Sequence, residues 1–281
     1  MIEYIVIAIL QGLVEWLPIS SSGQVLIASI NYLGIPPEQA YSLSIWVHLG
    51  TTIAVIVKMR VEFIQIIKTI VPGRFEIKDN HVKKRNWLIF ATFGTAITAI
   101  PLYLFFKFII IEGFDATQGD IITLVISGFL IITGIVLLIF KKKFGNKTID
   151  SISDRELIKD SSISGLIQGI AILPGISRSG FTISTLIFEK YTQEQSLKLS
   201  FLMSVPVALA SIGMDIIFGE GSVFGTIDIF TILIITAVSF IVGYFSMELL
   251  LKIAQKINFS YFCIFYGVLS FVIIVPFIFF G

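Results

Sequence analysis

The chain has 281 residues, of which 56% are hydrophobic and 14% are charged, and its mean hydropathy is +0.95. Soluble domains carry about 25% charged residues, so this composition excludes an ordinary soluble enzyme and indicates a surface that faces lipid. The formal net charge of +1 argues against nucleic acid as a partner, and the single cysteine, Cys263, excludes an internal disulfide.

Hydrophobic segments long enough to span a membrane, which takes about 20 apolar residues, occur six times. In chain order they cover 42–58, 88–108, 120–140, 196–218, 229–250 and 259–280. Two further apolar stretches, 2–31 and 161–189, are interrupted in the middle by Pro, Gly and Ser. Non-helical backbone at membrane depth is tolerated only where protein or a wet cavity satisfies its polar groups. Both stretches are therefore predicted to enter the membrane and return as re-entrant helical hairpins.

Lysine and arginine concentrate in alternate loops between these spans. The basic regions are 58–85, 141–160 and the pair Lys252 and Lys256, and the loops without Lys or Arg are 109–119 and 219–228. Because basic loops stay on the cytoplasmic side, six spans in this order are self-consistent, and the pattern predicts a multi-pass membrane protein, which we expect in the plasma membrane. The segment 61–72 is then expected to lie at the cytoplasmic surface as an amphipathic piece.

A short polar motif occurs once in each half of the chain. Residues 11–23 read QGLVEWLPISSSG and residues 168–180 read QGIAILPGISRSG, with six identities at an offset of 157. Each half holds one motif and three spans, and an odd number of spans inverts the second copy relative to the first. We predict an all-α polytopic membrane domain over 1–281, with a first repeat at 1–140 and an inverted second repeat at 161–281. The two motif turns should meet near the membrane midplane.

The first motif combines a carboxylate with three hydroxyls. Gln11 and Glu15 share one face of a helix because they are four residues apart, and Pro18 cannot continue that helix. The turn that follows offers donors to an anion, from Ser20, Ser21, Ser22 and Gly23. An ionisable residue in a membrane segment indicates function. The alternative is that Glu15 lies at a helix interface and that the serines only cap a helix.

The second motif places Arg178 among hydroxyls. Its planar guanidinium matches phosphate oxygens in a bidentate manner, and Ser177, Ser179 and Thr182 add neutral donors. The alternative is an ion pair between Arg178 and Glu15 that locks the two repeats together. The two interpretations are compatible, since an ion pair can open when a phosphate arrives.

Other polar residues in apolar surroundings carry weaker signals. His48 lies in the first span, either as a core histidine or as part of a site. Asp215 and Glu248 lie near span ends, where an acidic side chain is expected to extend to the membrane surface.

With both motifs in view, the chain resembles the undecaprenyl-diphosphatase family, also called the bacitracin-resistance proteins. The resemblance covers essentially the full length. It is carried by (E/Q)xxxE at 11–15, LPxSSxG at 17–23 and PGxSRSGxT at 174–182. In addition, His48-Leu49-Gly50-Thr51, in the segment 42–58 of this chain, looks like what is counted as the second span in the family. It implies an inverted-repeat membrane phosphatase whose site opens to the outer face. Such an enzyme removes the terminal phosphate of a polyprenyl diphosphate, recycles the lipid carrier for cell-wall and peptidoglycan synthesis, and confers bacitracin resistance.

One position departs from the family pattern. After SSxG the family usually has histidine, and here the residue is Gln24. A histidine there is a candidate proton carrier, whereas glutamine binds phosphate but carries no proton at neutral pH. Either catalysis does not need that histidine, or this member is slow, altered in substrate, or non-catalytic.

The motifs and the resemblance together assign roles. Glu15, Ser21 and Arg178 are expected to be catalytic, with Ser21 attacking phosphorus or orienting water and Glu15 the nearest candidate base. A Mg²⁺ or Ca²⁺ ion near Glu15 would neutralise phosphate charge. The expected substrate-binding residues are Gln11, Ser20, Ser22, Gln24, Ser177, Ser179 and Thr182.

A lipid-phosphate flippase is the competing prediction, because inverted repeats with broken midplane segments are also transporter architecture. A non-catalytic paralogue is a third. The expected partners are the polyprenyl diphosphate and the membrane, and the oligomeric state, including a homodimer, stays open.

Overall fold

The computed structural model describes residues 1–70, 79–111, 119–139, 145–218, 222–256 and 259–280. In these ranges the regular structure is helical. The first half contains α1 Ile2–Val14, α2 Ser21–Ile27, α3 Pro37–Trp46, α4 His48–Lys58, α5 Arg60–Lys68, α6 Asp79–Phe105 and α7 Gly119–Ile139. The second half contains α8 Asp154–Ile170, α9 Arg178–Phe188, α10 Gln193–Phe218, α11 Val223–Thr226, α12 Ile229–Lys256 and α13 Phe259–Phe280. Short π-helical stretches extend α2 over Ala28–Tyr32 and α6 over Phe106–Ile111.

Helices in the described ranges confirm the all-α polytopic membrane architecture. Those long and apolar enough to cross a membrane are Pro37–Lys58, Asp79–Ile111, Gly119–Ile139, Gln193–Phe218 and Ile229–Leu249. The first of them joins α3 to α4 and begins earlier than the predicted 42–58. The sixth predicted span corresponds to α13, whose described apolar part, Ser260–Val275, is shorter, so that span stays a prediction. The loop residues at 71–78, 112–118, 140–144 and 219–221 lie outside the described ranges.

The first hairpin consists of α1, a turn and α2. The helix ends at Val14, four residues before Pro18, whose missing N–H cannot continue the backbone ladder. Ser20 adopts a left-handed backbone with φ of 58° and caps α2, its hydroxyl accepting the N–H of Gly23 at 3.4 Å. The chain therefore reverses where the sequence predicts a break.

The second hairpin repeats this plan with α8, a turn and α9. Ser153 and Glu156 form a capping box at the start of α8, which fixes the beginning of the helix. In the turn, Gly175 has a φ of 102°, which favours glycine. Ser177 caps α9 by accepting the N–H of Gly180 at 3.1 Å.

Each hairpin packs against a span from the opposite half, α1 along α12 and α8 along α6. Equivalent glycines make both crossings close. A Cβ on Gly12 would lie 2.8 Å from the Cβ of Val242, and a Cβ on Gly169 would lie 2.6 Å from the carbonyl oxygen of Thr95. Each hairpin thus packs against the other half of the chain, in the reciprocal way expected of an inverted repeat. The repeat boundaries themselves stay predictions.

The hairpins enter from opposite ends of the molecule. We define the basic end by Lys58, Lys83, Arg85 and Lys147. These residues lie on helix ends and loops that are connected by hydrogen bonds, including the one from Lys83 Nζ to the Ile152 carbonyl at 2.7 Å. The second hairpin begins at this end. The first begins at the other end, where the hydroxyl of Thr231, near the start of α12, lies 3.9 Å from the sulfur of Met1.

The two hairpin turns meet. The N–H of Gly175 donates to the Ser20 hydroxyl at 2.9 Å, which confirms the predicted contact between the motifs. At the basic end, α5 and the two residues after it expose large apolar side chains, as expected for the amphipathic segment 61–72 up to residue 70, where the described range ends. They are Val61, Ile64, Ile67 and Ile70.

The expectation that Asp215 extends to the membrane surface is wrong, because its side chain is 1% exposed. Three donors satisfy its carboxylate inside the protein: the hydroxyls of Ser42 and Ser222, each at 2.7 Å, and the indole of Trp46 at 2.9 Å. Glu248 differs, since it is exposed and pairs with Lys58 at 2.7 Å.

Candidate active site

The two turns, α3, α4, α6 and α10 enclose a cavity. Seven of the ten predicted site residues line it. These are Glu15, Ser20, Ser21, Ser22, Ser177, Arg178 and Ser179. The duplicated motif thus supplies both sides of one cavity, with its first copy providing the carboxylate and its second the guanidinium.

Glu15 is the centre of the site, and its side chain is only 4% exposed. Its Oε1 forms an ion pair with Nη2 of Arg178. Its Oε2 accepts from Gln11 Nε2 at 2.7 Å and from Ser21 Oγ at 2.6 Å. The ion pair between the two motifs therefore exists, and both of its partners line the cavity.

Ser21 is the buried hydroxyl nearest to the ionisable groups. Besides its bond to Glu15, its Oγ lies 3.3 Å from Nε2 of His48. The helix α2 holds Ser21 in its first turn, and the cap on Ser20 fixes the backbone there. A serine contacting both a carboxylate and an imidazole has the surroundings of an activated nucleophile.

Arg178 occupies the first turn of α9, where unpaired backbone N–H groups and the helix dipole favour an anion. Its side chain is 21% exposed, so an incoming phosphate can reach it. Ser177 and Ser179 flank it, with their hydroxyls 3.4 Å apart. The arrangement presents a fixed positive charge and two neutral hydroxyls on the same side of the cavity.

Three predicted binding residues lie outside the cavity lining. Gln11 lies behind Glu15 and orients it. Thr182 donates to the carbonyl of Arg178 at 2.8 Å, which supports the first turn of α9. Gln24 donates from Nε2 to the carbonyl of Ile19 at 3.4 Å. Their direct contact with substrate stays a prediction, and the structure gives all three a supporting position.

The lining also contains polar residues that the sequence analysis did not place in the site: Tyr41, Ser44, His48, Gln168 and Ser211. The sequence alone leaves His48 open as a core or a site histidine. The signal that could have identified it is spacing, since Ser44 and His48 lie four residues apart and therefore share a face of the span. Gln168, the repeat partner of Gln11, is buried with its Oε1 unpartnered among the described residues.

The donor set does not fit a resident metal ion. Among the described residues no three His, Cys, Asp or Glu side chains form a group that could hold one. Both oxygens of Glu15 are already engaged, by Arg178 on one side and by Gln11 and Ser21 on the other. A divalent cation bound by Glu15 therefore stays a prediction.

Comparison with known proteins gives consistent matches. The model of the family described as "Bacitracin resistance protein BacA" matches residues 4–272. A protein of Methanothrix thermoacetophila called undecaprenyl-diphosphatase is 35% identical over 96% of this chain and 95% of its own length. Relatives with the same name from Methanococcoides burtonii and Methanopyrus kandleri are 38% and 34% identical, over 95% and 92% of this chain and 96% and 90% of their own lengths.

Proposed function

The chain belongs to the bacitracin resistance protein BacA family, and on that premise we propose how its cavity works. It is a membrane phosphatase that hydrolyses undecaprenyl diphosphate to the monophosphate and inorganic phosphate. The reaction recycles the lipid carrier and confers bacitracin resistance. The observation that carries the mechanism is the convergence of Glu15, Ser21 and Arg178 from two different repeats in one cavity.

Binding begins at Arg178. Phosphoryl transfer depends mainly on positioning and on stabilising negative charge, and a guanidinium in a cavity that excludes most water stabilises charge strongly. The terminal phosphate exchanges with Glu15 as the partner of Arg178, while Ser177 and Ser179 donate to its remaining oxygens.

Ser21 is the group that attacks the terminal phosphorus. Its Oγ is held at 2.6 Å from Glu15, in the first turn of a helix whose capping residue, Ser20, contacts the other hairpin through the N–H of Gly175. Attack breaks the anhydride bond and releases the lipid monophosphate, and water then hydrolyses the phosphoserine. Rapid quench with a diphosphate labelled in its terminal phosphate should trap label on Ser21. Turnover with no trapped label would support direct attack by water instead.

The site opens to the outer face of the membrane. Its lining residues Tyr41, near the start of α3, and Ser211, in the last third of α10, belong to the helix halves away from the basic end. Because basic ends stay cytoplasmic, substrate reaches the cavity from the opposite side.

Phosphate release by purified protein in detergent tests this function. The assay uses a long polyprenyl diphosphate, with and without Mg²⁺ or Ca²⁺. Ser21→Ala and Arg178→Ala should each lower release by at least about 10³-fold. Matched controls, Ser270→Ala on α13 and Arg85→Ala at the basic end, should retain it. A detergent micelle has no two separated sides, so release there demonstrates hydrolysis, whereas a transporter would release nothing.

A further inference from the structure

His48 is the one imidazole in the described cavity lining, and the function proposed above does not use it. Its Nδ1 lies 2.6 Å from the carbonyl oxygen of Ser44. A carbonyl oxygen only accepts, so Nδ1 carries the hydrogen of that bond. In the neutral imidazole the other nitrogen, Nε2, then has a free lone pair. The backbone of the span therefore fixes the tautomer that a base requires.

The Ser21 hydroxyl, which donates to Glu15 in this structure, lies within reach of that lone pair. Nε2 of His48 lies 3.3 Å from Ser21 Oγ and 3.3 Å from Glu15 Oε2. Hydrogen bonds of catalytic groups are commonly long before substrate binds. A serine, an imidazole and a carboxylate in mutual contact have the geometry of an activated nucleophile with a base and a group that stabilises its charged form.

The competing bases in the site are less suited. Glu15 accepts the Ser21 hydroxyl at 2.6 Å, but it also accepts from Gln11 and pairs with Arg178, and these contacts stabilise the carboxylate and weaken it as a base. Gln24 lies outside the cavity lining and, as an amide, cannot take up a proton at neutral pH. His48 is the group in contact with Ser21 whose ring nitrogen has a free lone pair and can both take up and release a proton.

We propose that His48 is the proton carrier of this enzyme, doing from the first span what the family resemblance assigns to a histidine at position 24. The proton carrier of this chain is then a histidine that reaches Ser21 from another helix. The proposal rests on the proposed function, since it requires Ser21 to be the reacting group.

The proton balance is as follows. His48 Nε2 takes the proton of Ser21 as the bond from Oγ to phosphorus forms and the anhydride bond breaks, its electron pair leaving with the lipid monophosphate. Glu15 stabilises the imidazolium until the proton passes to the departing phosphate or to water. In the second half, neutral His48 takes a proton from the attacking water, the bond from Oγ to phosphorus breaks, and the proton returns to Ser21.

Activity of His48 variants tests the proposal. In the detergent assay, His48→Gln should lower kcat by about 10²- to 10⁴-fold and change KM less than about 3-fold, because Arg178 still binds the phosphate. His48→Ala should show the same loss and regain at least about 10-fold with added imidazole, which supplies the missing proton carrier. His81→Gln, at the start of α6 and outside the cavity, is the matched control and should remain active.

The outcomes are separable. His48→Gln with kcat close to that of wild type, while Ser21→Ala is inactive, would overturn the role of His48 and leave the phosphatase intact. Loss in His48→Ala with no response to imidazole would assign His48 a packing role and also overturn the proposal. No release by folded wild type would remove the proposed function, and the role of His48 with it.

Discussion

The turns of the two hairpins begin a helix in the same way. Ser20 and Ser177 are equivalent at the offset of 157, and each hydroxyl accepts an N–H three residues on, at 3.4 Å and 3.1 Å. Each capping hydroxyl also faces a second serine two residues later, at 3.5 Å and 3.4 Å. Duplication has preserved the local backbone design, because any helix that starts inside a membrane needs its first N–H groups satisfied.

The residues between these caps differ in chemistry. Ser21 in the first turn corresponds to Arg178 in the second, and Glu15 corresponds to Ile172. One copy therefore holds the nucleophile and the carboxylate, and the other holds the cation that binds phosphate. The comparison teaches that the repeated part of the motif builds the scaffold, whereas the positions that diverged build an asymmetric site at the junction.

Exchanging the two charges tests that division most severely. Glu15→Gln leaves Arg178 without its anion, and Arg178→Gln leaves Glu15 buried without its cation. Each should cost about 3 kcal/mol of stability and at least about 10³-fold in activity. The double exchange Glu15→Arg with Arg178→Glu restores opposite charges, so part of the stability should return, but activity should not. Thermal unfolding in detergent and phosphate release measure the two quantities.

A double exchange that recovers activity would contradict the division. It would mean that the ion pair matters only for holding the repeats together, and that the identity of the residue beside Ser21 is irrelevant to the chemistry.

The glycines at the two hairpin crossings provide a second comparison, which concerns only the packing of the helices and not the chemistry of the site. Gly12→Ala would place a methyl group 2.8 Å from the Cβ of Val242, whereas Gly169→Ala would place it against the Thr98 hydroxyl and 2.6 Å from the carbonyl oxygen of Thr95. Both should destabilise by about 1–3 kcal/mol, with Gly169→Ala the larger. Gly128→Ala on α7 is the control, since a Cβ there meets nothing within 4 Å. Equal melting temperatures for all three would contradict close packing at these crossings.

Local signals allowed much of this molecule to be predicted from sequence. The breaks at Pro18 and Pro174 and the serines at the turns are local signals that act over a few residues. The repeat offset then relates the two turns, and the site residues on the turns followed from these signals. The positions of the His48 and Asp215 side chains were harder to predict, because their hydrogen-bond partners include residues distant in sequence. Asp215, for example, accepts from Ser42 and Trp46. Which face of a uniformly apolar span meets a cavity depends on tertiary packing, and hydrophobic periodicity gives no guide to it.

The caps themselves should differ in energy despite their similar geometry. Ser177→Ala removes one helix cap, which costs about 1 kcal/mol. Ser20→Ala removes a cap and also leaves the N–H of Gly175, 2.9 Å away, without its partner, so its cost should reach about 2–3 kcal/mol. Thermal unfolding of the two variants in parallel measures the difference. A larger loss for Ser177→Ala would show that the contact between turns contributes little.

The far ends of the two hairpins differ in charge. The effect on stability that we expect from this difference is the smallest of those predicted. The helical segment after the first turn ends at Tyr32, which is 80% exposed. Its counterpart after the second turn, α9, ends at Phe188 and is followed by Glu189, which lies beside the basic end. Ser164 donates to Oε2 of Glu189 at 3.2 Å, and Oε1 has no partner among the described residues. Burial, together with the nearby Asp160 carboxylate, raises the pKa of Glu189 to about 8 from 4.5.

A carboxyl group whose pKa is higher in the folded than in the unfolded protein favours the folded state while it is protonated. Its contribution is complete below pH 4.5 and is lost as the pH rises to about 8. The melting temperature of wild type should therefore fall between those values, and that of Glu189→Gln, which cannot ionise, should fall less. Glu194→Gln, at an exposed position paired with Lys198, is the control and should follow wild type. Parallel pH curves for wild type and Glu189→Gln would mean that Glu189 is solvated like Tyr32, and the two hairpin ends would then not differ electrostatically.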